Sequence, residues 1–527
     1  MNHKRPIVHN TSPLSKAPIS TRRVLLALLS GLMLTAAFPP AKFEWIAWFA
    51  LVPLLGSLKN QSPSQAFKLG FYAGLAHYLT LIYWIVVVLG HYGNLNFVAS
   101  LGTFLLLCLY LALYPALFTT LCTWLKGSRS VLIFIPAFWV SLEYLRAHLL
   151  TGFPWCLLGH TQYTHLNIIQ IADLSGVYGL SFVIVLVNGF IYRLISKDYG
   201  KAGGSLKWDV LLVVIVIAGT LGYGHYCLLK EQTNNRSRRY LRTAIIQGNI
   251  DQSIKWDPAY QTETMKTYQG LTRSTYDFRP GLIVWPETSL PFFFQNNREF
   301  SPGMFSLAEE SGESLLFGSP AYKRTDGITR YYNRAYLISP ETQTVQYYDK
   351  VHLVPFGEYV PLKKFLFFVS RLVPAAGDFQ SGNKVMPLSQ GDLSAGVLIC
   401  FEAIFPEPAR THVREGANIL VNLTNDAWFG MTSAPYQHLS MAVFRAVENR
   451  TPMVRAANTG FSAFIGRQGN ILEQGTLFNK EVIKASVDIS RSPSTFYTCF
   501  GDLFALFVIF VSIIRIIVYL WKTHKGH

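Results

Sequence analysis

Cys400 stands where a nucleophile would be presented. It directly follows the apolar run 395–399 and precedes Phe401, Glu402 and a helix that is predicted to begin near Pro406. Its thiol is therefore expected on a strand-to-helix turn, where enzymes often place nucleophiles, and the start of a helix there would favour the thiolate. The alternative is an inert buried thiol, because cysteine is also a common small residue of protein cores.

A cysteine nucleophile needs a base and a group that stabilises an oxyanion. Glu287 comes directly after a predicted buried strand, and Lys350 follows another strand. Either residue alone would more simply be a helix-capping acid or a solvated surface lysine. Among His352, His412 and His438, only His438 has any distinguishing local context, so no cysteine–histidine pair is obvious. A carboxylate, an ammonium group and a thiol, each at a strand end, together predict one catalytic set.

Short apolar runs would form the elements that position this set. From about residue 242 onward the hydrophobic runs shorten to strand length and alternate with amphipathic stretches, which is typical of an α/β domain. Strands are predicted at 243–247, 282–285, 314–317, 335–339, 345–348, 395–399, 419–422, 453–456 and 462–465. Helices are predicted at 258–278, after the capping residue Asp257, and at 406–415, each with a proline in its first turn.

The rest of the sequence is far more apolar. Of 527 residues, 50% are hydrophobic and 14% are charged, whereas about a quarter are charged in ordinary soluble proteins. Apolar stretches that predict membrane spans lie at 24–38, 45–58, 69–89, 97–125, 131–149, 168–194, 210–229 and 500–520. The sequence therefore predicts an integral membrane protein. Disorder and a disulfide scaffold are excluded, since six cysteines are spread over the whole chain.

Basic residues indicate how these spans are oriented. Lys and Arg precede the first span and recur after the second, fourth and sixth, whereas the connections 91–95 and 151–166 carry neither. The net charge of +16 is accordingly attributed to topology and not to nucleic acid. The predicted organisation is a cytoplasmic tail at 1–23, seven transmembrane helices within 24–230, an outward domain at 231–498, a last transmembrane helix at 499–521 and a cytoplasmic tail at 522–527.

Short motifs surround the three candidate residues. They are QGNI at 247–250 with KW at 255–256, WPET at 285–288, DK at 349–350, PFGEYVP at 355–361, CFE at 400–402, NLTNDAWFG at 422–430, QH at 437–438 with Arg445 and Glu448, RAANTG at 455–460, and TGFPW at 151–155. Glu, Lys and Cys in this order resemble the nitrilase, or carbon-nitrogen hydrolase, superfamily. The motifs are similar to those of its apolipoprotein N-acyltransferase family over almost the whole chain.

This resemblance implies both a fold and a reaction. The implied fold is a multi-span α-helical membrane bundle with a nitrilase-like αββα sandwich on the periplasmic side of the inner membrane. The implied reaction moves an acyl chain from a phospholipid, chiefly phosphatidylethanolamine, to the α-amino group of the diacylglyceryl-cysteine of apolipoproteins. Cys400 would form a thioester in ping-pong order, Glu287 would be the base, and Lys350 would stabilise the oxyanion. Neither a metal nor a cofactor is implied.

The resemblance also implies supporting residues. Glu358, Glu402 and Trp256 would support the catalytic set, and the substrate contacts would be Phe153, Trp155, Phe356, Phe401 and Trp428. Phe401 stands where the family usually has Tyr, so any role of that hydroxyl is absent here. The segment 355–373 combines phenylalanines with basic residues, and we expect it to be a membrane-facing arm, with core packing as the alternative.

Two other functions are compatible with parts of the sequence. A membrane-tethered nitrilase or amidase would use the same catalytic set on a small amide, although the many spans disfavour a small soluble substrate. A transporter or scaffold with an inactive outer domain is disfavoured because few ionisable residues, chiefly Glu143 and Arg146, lie within the spans. The presence of all three catalytic residues also argues against an inactive domain.

Overall fold

The computed structural model describes residues 18–125, 130–196, 206–233, 238–341, 343–360 and 378–525. Most of the predicted arm at 355–373, most of the tail at 1–23 and the last two residues lie outside this range. The described residues form a helical half, then a sheet domain, then a final long helix. This order agrees with the predicted order of a membrane bundle, an α/β domain and a closing span.

The helical half contains nine α-helices among the described residues. They are α1 (Thr21–Ala36), α2 (Val52–Ser57), α3 (Pro63–Leu81), α4 (Trp84–Val87), α5 (Phe97–Thr123), α6 (Val131–His148), α7 (Leu166–Ile169), α8 (Ala172–Ser196) and α9 (Leu206–Thr233). The 3₁₀ turns of this half are Glu44–Trp48, Leu149–Thr151 and Leu158–Gln162, and Val88–Tyr92 is a π-helical turn.

Five described helical stretches are long and apolar enough to cross a membrane. They are Phe97–Thr123, Val131–Thr151, Ala172–Ser196, Leu206–Glu231 and Leu503–His524. A sixth span results if α3 and α4, which meet at 49°, cross together. The first two predicted spans form helices that are shorter than a full membrane crossing. The 16 residues of α1, for example, extend about 24 Å, whereas the hydrocarbon core of a bilayer is about 30 Å thick. The count of seven spans before the sheet domain therefore stays a prediction.

The sheet domain contains the nine predicted strands and three more. The strands are β1 (Tyr240–Gln247), β2 (Leu282–Val284), β3 (Ser314–Thr325), β4 (Ile328–Ile338), β5 (Val345–Asp349), β6 (Leu388–Gln390), β7 (Leu393–Ile399), β8 (Ile419–Thr424), β9 (Met453–Ala457), β10 (Ala463–Ile465), β11 (Ile471–Gln474) and β12 (Glu481–Asp488). The additional strands β6, β11 and β12 were not predicted because none of them contains a run of apolar residues. Each is short or includes exposed polar residues between its apolar ones. Strands β3 and β4 are also longer than predicted. The end of β3 and the start of β4, which form the tip of their hairpin, are exposed and carry no apolar run.

The remaining helices are α10 (Gln261–Arg273), α11 (Ser301–Ser311), α12 (Pro406–Arg414), α13 (Ala434–Asn449), α14 (Phe496–Phe500) and α15 (Leu503–Lys525). The carboxylate of Asp257 accepts a hydrogen bond from the backbone N–H of Ala259 at 3.0 Å and caps the 3₁₀ turn Pro258–Tyr260, which leads into α10. The single helix predicted at 258–278 is thus a short turn, an α-helix and a second 3₁₀ turn, Tyr276–Phe278. Further 3₁₀ turns are Cys400–Ile404 and Asp426–Phe429.

The strands form two six-stranded sheets that pack face to face. Their orders are β12-β1-β2-β3-β4-β5 and β11-β10-β9-β8-β7-β6. Apolar side chains of both sheets, such as Val284 and Val397, share one buried core. Helices α10 and α11 cover the outer face of the first sheet, and α12 and α13 cover the outer face of the second. This αββα sandwich confirms the predicted fold class.

The second sheet is joined to the helical half by a continuous buried core. Trp155 and Cys156 of the helical half lie in the same apolar cluster as Ile404, Phe405 and Met441 of the sheet domain. The backbone N–H of Cys156 also approaches the sulfur of Met441 at 3.3 Å. The turn that follows Cys400 therefore shares an apolar core with the loop that carries Trp155 and Cys156.

Candidate active site

The cysteine turn begins where strand β7 ends. Cys400 opens the 3₁₀ turn Cys400–Ile404 and has a positive φ of 52°. A non-glycine residue in this left-handed region costs on the order of 1 kcal/mol and persists only where its surroundings hold it. The predicted strand-to-helix turn is confirmed, and its strain is of the kind found where a nucleophile is presented.

Glu402 holds this turn against the loop that follows β5. Its carboxylate oxygens accept four hydrogen bonds of 2.7 to 3.0 Å, from the hydroxyl of Tyr348 and from the backbone N–H groups of Val351, His352 and Ile399. Burial raises the pKa of Glu402 to about 7, while the bonds from the backbone oppose that rise. Glu402 thus joins the cysteine turn to the residues after Lys350, and its supporting role in catalysis stays a prediction.

We expect the Glu402→Gln substitution to destabilise the protein by about 1 to 3 kcal/mol, because the amide NH₂ replaces an acceptor and leaves buried donors unpaired. The folded pKa of about 7 lies above the ordinary value of 4.5. The stabilisation by Glu402 is therefore full below about pH 4.5 and is lost as the pH rises through 7. Thermal unfolding of both proteins in one detergent at several pH values measures this effect. Glu473→Gln, on the exposed strand β11, is the control, and equal unfolding temperatures for all three proteins would contradict the assignment.

Lys350 is buried directly after β5. Its Nζ contacts both carboxylate oxygens of Glu358, at 2.9 and 2.8 Å, and its side chain is 1% exposed. Burial lowers the pKa of Lys350, but the carboxylates of Glu358 and Glu287 outweigh burial, so the pKa lies above its usual value. Glu358 also accepts a hydrogen bond from the backbone N–H of Val354 at 2.8 Å. The ammonium group is thus a fixed positive charge, as oxyanion stabilisation requires.

Glu287 is connected to this ion pair through Asn333 of strand β4. The Asn333 amide donates to Glu287 Oε1 at 2.7 Å and to Glu358 Oε1 at 2.9 Å. Gly318 of β3 lies so close behind that a β-carbon there would fall 2.8 Å from the Cα of Glu287. A side chain at Gly318 would therefore displace the carboxylate. The structure thus brings Glu287, Lys350 and Glu358 into one hydrogen-bonded group.

The charges of Glu287 and Lys350 both act on the Cys400 thiol. Burial and then the Glu287 carboxylate raise the pKa of this thiol to about 12, against the opposing charge of Lys350. The expectation that the start of a helix would favour the thiolate is wrong. The following helix α12 begins only at Pro406, so its N-terminus is too far along the chain to offset burial. A thiol that is protonated at neutral pH needs a base, and the predicted role of Glu287 as that base stays a prediction.

Two residues of the site were missed by the sequence reading. Asn333 lies just before the predicted strand 335–339, in the part of β4 that carries no apolar run. Lys255 is 2% exposed, and its Nζ donates to the backbone oxygen of Glu287 at 3.2 Å. Burial lowers the pKa of Lys255 to about 8, although Glu287 and Cys400 favour its charged form. Its neighbour Trp256 is 49% exposed, so Lys255 is the member of the KW motif that reaches Glu287. The supporting role of Trp256 stays a prediction.

A buried ionic network lies behind the cysteine turn. Arg455 of β9 contacts the Asp426 carboxylate at 2.7 Å, and the His438 ring contacts the same carboxylate at 3.0 Å. Burial raises the pKa of Asp426, but Arg455 and His438 outweigh it and hold that pKa well below its usual range. Asp426 also accepts a hydrogen bond from Thr424 at 2.9 Å. This network fixes the end of β8 next to β7, and with it the position of Cys400.

An aromatic cluster lies where the site meets the helical half. Trp155 is fully buried, and its indole N–H donates to Gln437 Oε1 at 2.7 Å. The indole N–H of Trp84 donates to the same oxygen at 3.2 Å, and the two indole rings lie 4.7 Å apart. Phe153 stacks on Trp155 at 6.4 Å, and Phe429 meets Trp155 edge-on at 5.8 Å. This cluster ties the TGFPW motif to helix α13.

The other predicted substrate contacts surround this interface. Trp428 meets the Tyr92 ring at 5.6 Å, and Phe401 packs against Phe405 at 5.2 Å. Phe356 lies in a tight turn with a φ of 62° and is 42% exposed. The His352 ring lies close to the backbone of Thr151, so the loop after Lys350 also approaches the helical half. The roles of these aromatic residues in lipid binding stay predictions.

Glu143 and Arg146 of α6 hold the connecting loop in place. Glu143 accepts a hydrogen bond from the backbone N–H of Leu158 at 2.7 Å, and Arg146 donates to the backbone oxygen of Trp155 at 2.9 Å. Both side chains are buried. They fix the loop that carries Phe153 and Trp155, and this structural role gives no support to a translocation path.

Comparison with known proteins covers both halves of the chain. The family model described as apolipoprotein N-acyltransferase N-terminal domain matches residues 30–190, and the carbon-nitrogen hydrolase model matches residues 242–495. Among solved structures, a carbon-nitrogen hydrolase from Helicobacter pylori G27 has 16% identity and a TM-score of 0.37, covering 48% of this chain and 90% of its own. An amidase from Nesterenkonia sp. has 18% identity and a TM-score of 0.35, covering 47% and 90%.

Relatives of known name align over nearly the full length. An apolipoprotein N-acyltransferase from Geobacter metallireducens is 45% identical over 493 residues, which are 92% of this chain and 93% of the relative. The enzyme of the same name from Methylococcus capsulatus is 34% identical over 91% of this chain and 93% of its own. With matches of this extent in both halves, the chain belongs to the apolipoprotein N-acyltransferase family.

Proposed function

We propose that this protein transfers a fatty acyl chain from a phospholipid, through a thioester on Cys400, to the α-amino group of the diacylglyceryl-cysteine at the N-terminus of apolipoproteins. The observation that supports this best is the position of the cysteine turn. Ile404 and Phe405, four and five residues after Cys400, share a buried core with Trp155 of the helical half. A thiol at this junction is placed for an acyl chain that extends into the bilayer.

The first half-reaction forms the acyl-enzyme. Glu287 takes the proton of the Cys400 thiol as the sulfur attacks the ester carbonyl of the phospholipid. The negative charge that develops on the carbonyl oxygen is stabilised by the Lys350 ammonium group. The C–O bond then breaks, Glu287 returns the proton to the departing alkoxide, and a lysophospholipid leaves. A raised thiol pKa suits this order of events, since the proton is transferred only when substrate is in place.

The second half-reaction resolves the thioester. The α-amino group of the apolipoprotein attacks the thioester carbonyl, and Glu287 accepts a proton from the attacking nitrogen. Lys350 stabilises the second oxyanion as it did the first. The C–S bond breaks, an amide is released, and the thiolate recovers its proton from Glu287. The proton taken from the amine is the one returned to the thiolate, so no further reactant is needed and the enzyme returns to its starting state.

Reconstitution of the full chain tests this function. Vesicles would contain phosphatidylethanolamine with one isotopically labelled acyl chain, and a synthetic peptide with an N-terminal diacylglyceryl-cysteine would be the acceptor. Mass spectrometry is expected to show the labelled acyl group on the peptide amine. Release of labelled free fatty acid without an amide would contradict acyl transfer to the peptide, since it would mean that water resolves the thioester, and it would favour a tethered hydrolase.

We also propose an inner-membrane location with the site on the periplasmic side, supported by the pattern of basic residues. A reporter fused after residue 527 is expected to be active in the cytoplasm. A cysteine introduced at the exposed Glu263 of α10 is expected to react with an impermeant thiol reagent in cells whose outer membrane alone is permeabilised. The background would be Cys499→Ser, since that cysteine is exposed. Labelling only after disruption of the inner membrane would contradict the proposal.

A further inference from the structure

A second large cleft lies between α9 and the sheet domain. Its volume is about 940 Å³. It is bounded by the last two turns of α9, the start of α8, the turn between β6 and β7, and the chain that leaves β12 toward α14. The cleft is thus at the end of the membrane helices that faces the sheet domain.

This cleft is separate from the catalytic site. Leu393 begins β7 and lines the cleft, whereas Cys400 follows the last residue of the same strand. Seven residues of extended strand span about 23 Å. Asn418 also lines the cleft, directly before β8, whereas Thr424 at the other end of β8 lies beside Cys400. The two sites therefore lie at opposite ends of the parallel strands.

The lining of the cleft is basic. Among the lining residues that the structure describes, the cations are Lys230, Arg238, Arg239, Arg450, Arg467 and Arg491, and the acids are Asp173, Glu231, Asp392 and Asp488. Several pairs are already formed, including Arg450 with Asp173 at 2.7 Å and Arg467 with Asp488 at 3.2 Å. The cations exceed the acids by two, so the cleft complements an anion.

Two of the cations are available to such an anion. Lys230 is exposed near the outer end of α9, where its Nζ lies 5.9 Å from the centre of the Tyr226 ring. Arg491 is exposed on the chain that follows β12. Within the described part of the chain, neither residue forms an ion pair of 4.0 Å or less. The lining of the cleft therefore includes two cations that are not neutralised by carboxylates among the described residues.

The rim of the cleft is apolar on the membrane side. Leu174 of α8, Tyr226 of α9 and Phe496 of α14 line the cleft and are exposed. Only 17% of the apolar stretch of α9 is buried, so this helix presents most of its surface to lipid. An apolar rim next to a basic cleft is complementary to a molecule that has acyl chains and an anionic headgroup. A free anion has no apolar part, so the rim would not contribute to its binding.

We propose that this cleft binds an anionic glycerophospholipid, with its phosphate between Lys230 and Arg491 and its acyl chains along α9. The bound lipid joins the loosely packed helix α9 to the rear of the sheet domain. It is not the acyl donor, since it lies at the wrong end of β7. The inference does not depend on the proposed reaction.

Native mass spectrometry of the full-length, delipidated protein in detergent tests the inference. The probes are dioleoyl phosphatidylglycerol, dioleoyl phosphatidylcholine and inorganic phosphate. We expect one tightly bound phosphatidylglycerol. The double variant Lys230→Ala/Arg491→Ala is expected to bind it about 30-fold more weakly, since each basic residue near an anionic lipid contributes about fivefold. Lys266→Ala/Arg298→Ala, with two exposed basic residues elsewhere on the sheet domain, is the matched control and is expected to bind like the wild type.

The outcomes separate the alternatives. Equal binding of phosphatidylglycerol by the wild type and the Lys230/Arg491 double variant would overturn the proposal, and so would equal binding of phosphatidylcholine. Displacement of the lipid by inorganic phosphate would make the cleft a free-anion site and would also overturn it. Acyl transfer by the double variant in detergent is expected to be unchanged. A parallel loss of acyl transfer would identify the lipid as the donor and would refute a separate site.

Discussion

Replacing Cys400 by alanine is expected to abolish the acyl-enzyme and to lower acyl transfer at least about 10⁴-fold, because the sulfur is the atom that carries the acyl chain between donor and acceptor. Intact-protein mass spectrometry after incubation with phospholipid alone measures the adduct. The wild type is expected to gain the mass of one acyl chain and the variant to gain none.

Cys499→Ala is the matched control for this experiment. Cys499 is exposed, whereas Cys400 lies at the partly buried turn after β7. The Cys499→Ala protein is therefore expected to form the adduct at the wild-type rate. An acyl adduct that persists in the Cys400→Ala protein would refute covalent catalysis through this residue.

Replacing Glu287 by glutamine is expected to lower acyl transfer at neutral pH by about 10² to 10⁴-fold, since this is the usual contribution of a positioned general base. The fold is expected to be retained, because the Gln side-chain oxygen can still accept the hydrogen bond that Asn333 donates to Glu287 at 2.7 Å. The unfolding temperature checks the fold, and the rate of adduct formation on Cys400 checks the chemistry.

The pH dependence of the Glu287→Gln protein distinguishes a lost base from a distorted site. Without the carboxylate, attack depends on the small fraction of thiolate, because burial, the largest cause of the raised pKa of the Cys400 thiol, remains in the variant. Adduct formation by the variant is therefore expected to increase with pH for as long as the protein stays folded. Glu263→Gln, at an exposed position of α10, is the control. A wild-type rate for Glu287→Gln at neutral pH would exclude Glu287 as the base.

The sequence alone was sufficient for the class of fold and for the family. Buried strands such as β2 and β8 are uninterrupted apolar runs, so periodicity and length reveal them without any knowledge of their neighbours. Motifs such as WPET and CFE indicate the family, because each places a predicted catalytic residue shortly after a strand. Strands β6, β11 and β12 were not predicted from the sequence, because exposed strands at or near the sheet edges contain no such apolar run.

The tertiary structure alone decided which residues surround the reacting atoms. Asn333 is 46 residues from Glu287, and Tyr348 is 54 residues from Glu402, yet each pair is hydrogen-bonded. Lys255 reaches Glu287 in place of the more conspicuous Trp256, and the thiol of Cys400 has a raised pKa where its sequence context suggested a lowered one. The physical reason is the same in each case. Hydrogen bonds and desolvation depend on distances in space and on burial, and a local sequence pattern contains neither.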